Sequence, residues 1–332
     1  MDRSIAEVVA AAPFYQDLAP DEIAELAAGL ELRLFAPGEA LMVQGAASDG
    51  AYVIASGAVA VAARLPGGGE TAIAELGPGD LVGEMALLMK GGKRTATARA
   101  LGEVEALFTD RRYFEAALHS LRPASLKVLR RLGLVIAERL RAIRARGREL
   151  VSAAAREGQL RPPPDAEATV RAPFDVRAFL AILPCLADFA PEEIDAMFAM
   201  ARVEQVPRGT ALVEEGQVIN ATRLVVRGAL LLGQRHAERV QQLDILGPGR
   251  FAGVAPVLEG SPAASAIIAA EDSTLLAFDP ARFVTLWNGR DRLALRLLEA
   301  VNTDMVLSLN TASNHLTRLT AQARVKGLPV GV

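Results

Sequence analysis

The sequence predicts a mixed β protein with flanking helices: two tandem jelly-roll-like β-rolls joined by a long helix and a Pro-rich linker. Three observations predict it. The chain repeats itself at an offset of 171 residues, each repeat is a series of short apolar runs punctuated by Gly and Pro, and a long stretch of helical periodicity separates the two.

The repeat is read from matched landmarks. Leu18-Ala19-Pro20-Asp21-Glu22-Ile23 returns as Phe189-Ala190-Pro191-Glu192-Glu193-Ile194, and Gly38, Leu41, Gly45 and Gly57 return as Gly209, Leu212, Gly216 and Gly228. Gly77-Pro78-Gly79 returns as Gly247-Pro248-Gly249 at an offset of 170, which places the loss of one residue in the turn around Pro66-Gly67-Gly68-Gly69. Loop tips tolerate such changes.

Each copy opens with a short helix whose first turn carries acids, at Pro20-Asp21-Glu22 and Pro191-Glu192-Glu193, as the helix dipole favours. Strands follow. Tyr52-Val53-Ile54 and Ala58-Val59-Ala60-Val61 flank Ser56-Gly57, and Arg223–Val226 and Ala229–Leu232 flank Arg227-Gly228, which predicts hairpins with glycine in the turn. From about Pro123 to Ala155, Leu129, Ile136, Ile143 and Leu150 recur every seven residues, with Leu132 and Leu140 in the same stripe. This apolar face packs on its own domain or pairs with a second copy as a homodimer through the helix at 125–150, and the spacing leaves both readings open. The opposite face carries Arg139, Arg141, Arg144, Arg146 and Arg148, by default a solvated face and otherwise a seat for an acidic partner or nucleic acid. Arg161-Pro162-Pro163-Pro164-Asp165 is a break no helix crosses. The resulting divisions are a first domain at 1–156, a linker at 157–172 and a second domain at 173–332, ending in a helix over about 292–324.

Composition narrows the function. A chain of 332 residues buries a substantial core, and its apolar runs are broken by charges before the roughly 18 residues a membrane span needs. Met1 to Ala12 lacks the layout of a secretory signal, so a soluble cytoplasmic protein is expected. The net charge of −3 argues against a surface devoted to nucleic acid, leaving only a local basic patch. Cys185 is the sole cysteine and reads as an inert thiol. His119, His236 and His315 are far apart and have no metal-site spacing. No acid-base pair, triad or metal cluster is legible, so neither an enzyme nor a cofactor is expected.

The most specific stretch is Leu81-Val82-Gly83-Glu84-Met85-Ala86-Leu87-Leu88, which runs through Met89-Lys90-Gly91-Gly92-Lys93 to Arg94-Thr95-Ala96. It resembles the phosphate-binding cassette of the cyclic nucleotide-binding domain family: Gly-Glu-hydrophobic-Ala-Leu, a short variable turn, then Arg-Ala/Ser/Thr-Ala. The similarity extends over about Leu18 to Leu150. It implies that cAMP or cGMP is the ligand, held by Gly83, Glu84, Met85, Ala86, Arg94, Thr95 and Ala96. The chemistry suits those residue types. A short helical turn after Gly83 offers backbone amides to an anion, the planar fork of Arg94 suits phosphate oxygens, and Glu84 accepts the free ribose 2′-hydroxyl. Thr95 donates to the phosphate or to a guanine edge.

Carrying the offset of 170 into the second copy places Gly253 on Gly83, Val254 on Glu84, Pro256 on Ala86, Ala264 on Arg94 and Ser265 on Thr95. Both charges are gone, so no cyclic nucleotide is expected there. The tandem layout is similar to the regulatory subunits of cyclic nucleotide-dependent kinases, implying a sensor that reports through the helix after the first roll to an unidentified protein partner. The catabolite activator family shares the cassette, but the Pro-rich break leaves no room for its helix-turn-helix, which argues against DNA as a partner. The third reading is a scaffold or oligomerisation module that binds no ligand.

Overall fold

The computed structural model describes residues 3–64, 69–89, 92–154, 175–236 and 239–325. The first copy contains α1 (Ile5–Ala11), α2 (Pro20–Ala27), β1 (Leu30–Phe35), β2 (Ala40–Met42), β3 (Gly50–Ser56), β4 (Val59–Arg64), β5 (Glu70–Leu76) and β6 (Leu81–Val82). It continues with α3 (Met85–Leu88), β7 (Thr97–Ala100), β8 (Val104–Asp110), α4 (Arg111–His119) and α5 (Pro123–Ala154). The second begins with α6 (Val176–Leu180), α7 (Pro191–Ala199), β9 (Arg202–Val206), β10 (Ala211–Val213), β11 (Thr222–Arg227), β12 (Leu230–His236), β13 (Arg239–Leu246) and β14 (Phe251–Ala252). It ends with α8 (Val254–Glu259), β15 (Ala266–Ala269), β16 (Ser273–Phe278), α9 (Pro280–Trp287) and α10 (Arg292–Val325).

Contacts divide the chain inside α5: Met1–Val135 forms one unit and Ile136–Gly331 another. The Pro-rich linker expected at 157–172 lies outside the described residues, as does most of the turn at Pro66–Gly69.

Each unit holds one β-roll of two four-stranded antiparallel sheets, ordered β1-β8-β3-β6 and β2-β7-β4-β5 in the first, and β9-β16-β11-β14 and β10-β15-β12-β13 in the second. The apolar face of each sheet turns inward. In the first roll Ile54, Val59, Ala98, Ala106 and Phe108 meet in one core, and in the second Val225, Leu230, Ile267, Ala269 and Leu275 do the same.

The glycine hairpins are corrected. β3 pairs with β8 and β6, whereas β4 pairs with β5 and β7, so Gly57 turns the chain from one sheet to the other instead of closing a two-stranded ladder. Gly228 does the same between β11 and β12. The backbone needs glycine there: Gly57 has φ +85° and a Cβ on it would lie 2.3 Å from the Glu103 carbonyl oxygen. Pairing across the roll covers both faces of the core, which a local hairpin could not.

The residue correspondence is also corrected by one. Gly45 N–H donates to the carbonyl of Arg94, and the equivalent Gly216 N–H donates to that of Ala263. Arg94 N–H reaches Ala46 O, as Ala263 N–H reaches Gln217 O. Ala263, not Ala264, therefore stands where Arg94 does, and Ala264 and Ser265 take the places of Thr95 and Ala96. The cause is a second shortening. Helix α8 runs six residues where α3 runs four, is closed by Gly260 at φ +63°, and returns to the sheet by a shorter turn.

The first half of α5 belongs to the first unit, with Leu126, Leu129 and Leu132 each at most 1% exposed. The basic face is not uniformly solvated as the default reading had it. Arg141 pairs with Glu259 at 3.1 Å, and Arg144 is half-buried.

Candidate functional site

In the first roll, β6 ends at Val82 and the chain turns at Gly83 (φ +83°) into α3, with Glu84 at its N-cap. The turn is tight. Ala86 N–H donates to Gly83 O at 3.0 Å and Leu87 N–H to Glu84 O at 3.1 Å, so these two amides close the helix and do not point outward as the sequence suggested. Glu84 and Met85 are half-buried, and Ala86 is fully buried.

Arg94 arrives from the other side. Its backbone is clamped by Gly45 and Ala46, and Thr97 accepts the Gln44 amide at 3.1 Å, zipping the return strand onto the chain before β3. This directs the arginine under the Gly83 turn, where its side chain is 4% exposed. Nη1 lies 3.5 Å from Gly83 O, and Nη2 donates to Asp49 Oδ1 at 2.8 Å. Any Cβ at position 83 would lie 2.3 Å from Nη1, so glycine is what lets the guanidinium sit there.

Gly83, Glu84, Met85 and Arg94 thus meet at one end of the roll. Thr95 is exposed, with its Oγ1 3.6 Å from Met85 Sδ. Ala96 instead faces the core. Lys90 and Gly91 of the variable turn lie outside the described residues.

Asp49 was missed in the sequence. It stands 45 residues from Arg94, just before β3, where no local spacing marks it. Its carboxylate is 66% exposed while the guanidinium it pairs with is buried. The counterpart in the second roll is Asn220, which turns to Arg223 at 3.0 Å. There Gly253 keeps the left-handed turn (φ +81°), while Val254 and Ala263 are buried apolar groups in place of the two charges.

The pattern of the cyclic nucleotide-binding domain family matches residues 32–120 and 203–289, one segment in each roll. A cyclic AMP receptor protein of Thermus thermophilus is 36% identical over 129 residues, 39% of this chain and 57% of that one. A CRP-like cAMP-activated global transcriptional regulator of Mycobacterium tuberculosis is 33% identical over 135 residues, 41% of this chain and 58% of that one. The chain therefore spans little more than half the length of these curated relatives. Among solved structures, the regulatory domain of Toxoplasma gondii PKA with cAMP aligns over 86% of this chain and 92% of its own, at 16% identity and a TM-score of 0.32. Among the described residues no helix is long and apolar enough to cross a membrane. With more than half of its residues inside the two matched segments, the chain belongs to the cyclic nucleotide-binding domain family as a tandem pair.

Proposed function

We propose that the chain is a cyclic nucleotide sensor, a regulatory protein and not an enzyme, that binds one molecule of cAMP or cGMP in its first domain (1–156) and none in its second (173–332). Arg94 carries this reading. A buried guanidinium with a single exposed carboxylate opposite it is a cation whose counter-ion can be exchanged, and a cyclic phosphate is a monoanion of fitting size. Glu84 would accept the ribose 2′-hydroxyl and Thr95 would donate to the phosphate. Gly83, Met85 and Ala86 shape the turn against which the ligand lies, and Ala96 keeps the return strand seated in the core. Helix α5, continuous with the first roll, passes the bound state to a partner, for which the homodimer face at 125–150 is one candidate.

Losing the Arg94 contact removes about 1.5–3 kcal/mol, a charge-assisted hydrogen bond's worth. That is roughly a 10- to 150-fold rise in Kd. Calorimetric titration of cAMP and of cGMP into wild type, Arg94→Ala and Glu84→Ala tests the site. The expected stoichiometry is one per chain, with both substitutions weakening it. Binding unchanged in both variants, or two nucleotides per chain, would overturn the reading.

A further inference from the structure

The second roll keeps a cleft at the place where the first has its cassette, walled by Gly253, Val254, Ala263 and Ser265. The wall facing them is α5: Leu140, Arg141 and Arg144 line the same cleft. Leu140 is 2% exposed, a hydrophobic anchor. Arg141 Nη1 meets Glu259 Oε2 at 3.1 Å, at the end of α8, the cassette helix of this roll. Far along the chain from α5, further groups close around the helix. Gln234 Nε2 on β12 donates to the Arg144 carbonyl at 3.4 Å, and the charges of Asp244 on β13 and Asp304 on α10 act on the Arg144 guanidinium. Arg250 ties those two acids together.

We propose that this cleft has become the receptor for a basic helix, Leu140–Gly147 of α5, and that the second roll thereby reads the first without a nucleotide of its own. The arrangement has the parts of helix-in-groove recognition: an apolar anchor, a flanking ion pair and an acidic floor under a cation. It accounts for what the cassette lost. With Val254 and Ala263 in place of glutamate and arginine, the cleft no longer demands an anion, and the arginines at its mouth belong to the helix. It also accounts for the basic face of α5, which nucleotide binding leaves unused.

The seat is built to release. Oε1 of Gln234, Gln241 and Glu259 is buried without a hydrogen-bond partner among the described residues. Each such acceptor costs free energy while the helix is docked and recovers it in water, so docking is opposed by the groups beneath it. Arg141 is half-exposed and its pair with Glu259 lies at the rim, where it sets register more than strength.

Hydrogen exchange on the full chain without nucleotide tests the seat. Arg141→Glu and Glu259→Arg should each speed amide exchange across 136–147 at least tenfold, and the pair of substitutions together should return it to within threefold of wild type. Arg141 is 52% exposed, so its replacement leaves the fold intact, which thermal unfolding checks. Unchanged exchange in both single variants, or no rescue in the pair, overturns the seat. The link to the first roll rests on the proposed nucleotide site, and a second arm separates the two. Saturating cAMP or cGMP should shift exchange across 136–147 at least threefold in wild type and not in Arg94→Ala. Nucleotide heat with no shift overturns the link, whereas absence of heat condemns the nucleotide site and leaves the charge swap to judge the seat.

Discussion

In the first roll Arg33 lies over Phe108, 3.5 Å from the ring centroid, and donates to the Tyr52 hydroxyl at 3.1 Å. The same three places in the second hold Glu204, Ala277 and Arg223, and Arg223 Nε donates to Glu204 at 2.7 Å. Both cations meet a carboxylate, Arg33 at Glu31 and Arg223 at Glu204, but in the first roll the guanidinium also rests on aromatic rings where the second has Ala277, and the cation has moved from β1 to β11, the counterpart of β3. The site differs in the same manner. Arg94 donates to Asp49 in the first, while in the second Ala263 and Asn220 take their places and Asn220 accepts from Arg223. Strand order and glycine corners hold the fold, so the charges were free to change around them.

The largest effect that can break this comparison is a transplant. Val254→Glu with Ala263→Arg puts both lost charges into the second roll at the corrected positions. Because Leu140, Arg141 and Glu259 already wall that cleft, calorimetry should still return one nucleotide per chain, whereas Arg94→Ala should raise Kd roughly 10- to 150-fold. A stoichiometry of two in the transplant would mean that the charges alone separate the rolls.

A smaller effect sharpens it. Gly83→Ala and Gly253→Ala both force an L residue into the left-handed region, at about 1–2 kcal/mol each by denaturant unfolding. Their neighbours differ. The new Cβ at 83 lies 2.3 Å from Arg94 Nη1, so the guanidinium must move and affinity should fall as well. At 253 it meets Ala221 O at 3.1 Å and Ile219 Cγ2 at 3.2 Å, so stability alone should drop. Wild-type affinity in Gly83→Ala would show that the arginine does not depend on that turn.

Much of this was legible because local rules carry it. Pro20 and Pro191 opened helices, the seven-residue stripe from Leu129 marked α5, and the Gly83 and Gly253 turns aligned by count. What failed was non-local. Gly57 sits between two apolar runs as a hairpin glycine does, and nothing within ten residues reveals that β3 pairs with β8 while β4 pairs with β7. The shift from Ala264 to Ala263 came from the shorter return turn after α8, visible only in the hydrogen bonds that fix the return strand. Asp49, and the acids that meet Arg141 and Arg144, lie far in sequence from their partners, so no spacing could announce them.

The smallest effect concerns histidine. His119 of the first roll is exposed at the end of α4, whereas His315 of the second is half-buried on α10, 3.4 Å from Gln241. Burial, reinforced by Arg318, holds its pKa below the usual 6.5. The folded state thus prefers the neutral ring. Its contribution to stability is complete above pH 6.5 and is lost as pH falls through the depressed value, because the unfolded chain takes up the proton first. Asp244, Arg144 and Gln241 face the same pocket. Asp304 works in the opposite direction: burial raises its pKa despite Arg250, so acid favours its folded form, and it does so equally in wild type and in a His315 variant. Between pH 7.5 and 5.5 the melting temperature should therefore fall further in wild type than in His315→Gln. Parallel slopes in the two proteins would show that the His315 ring is solvated in the folded state.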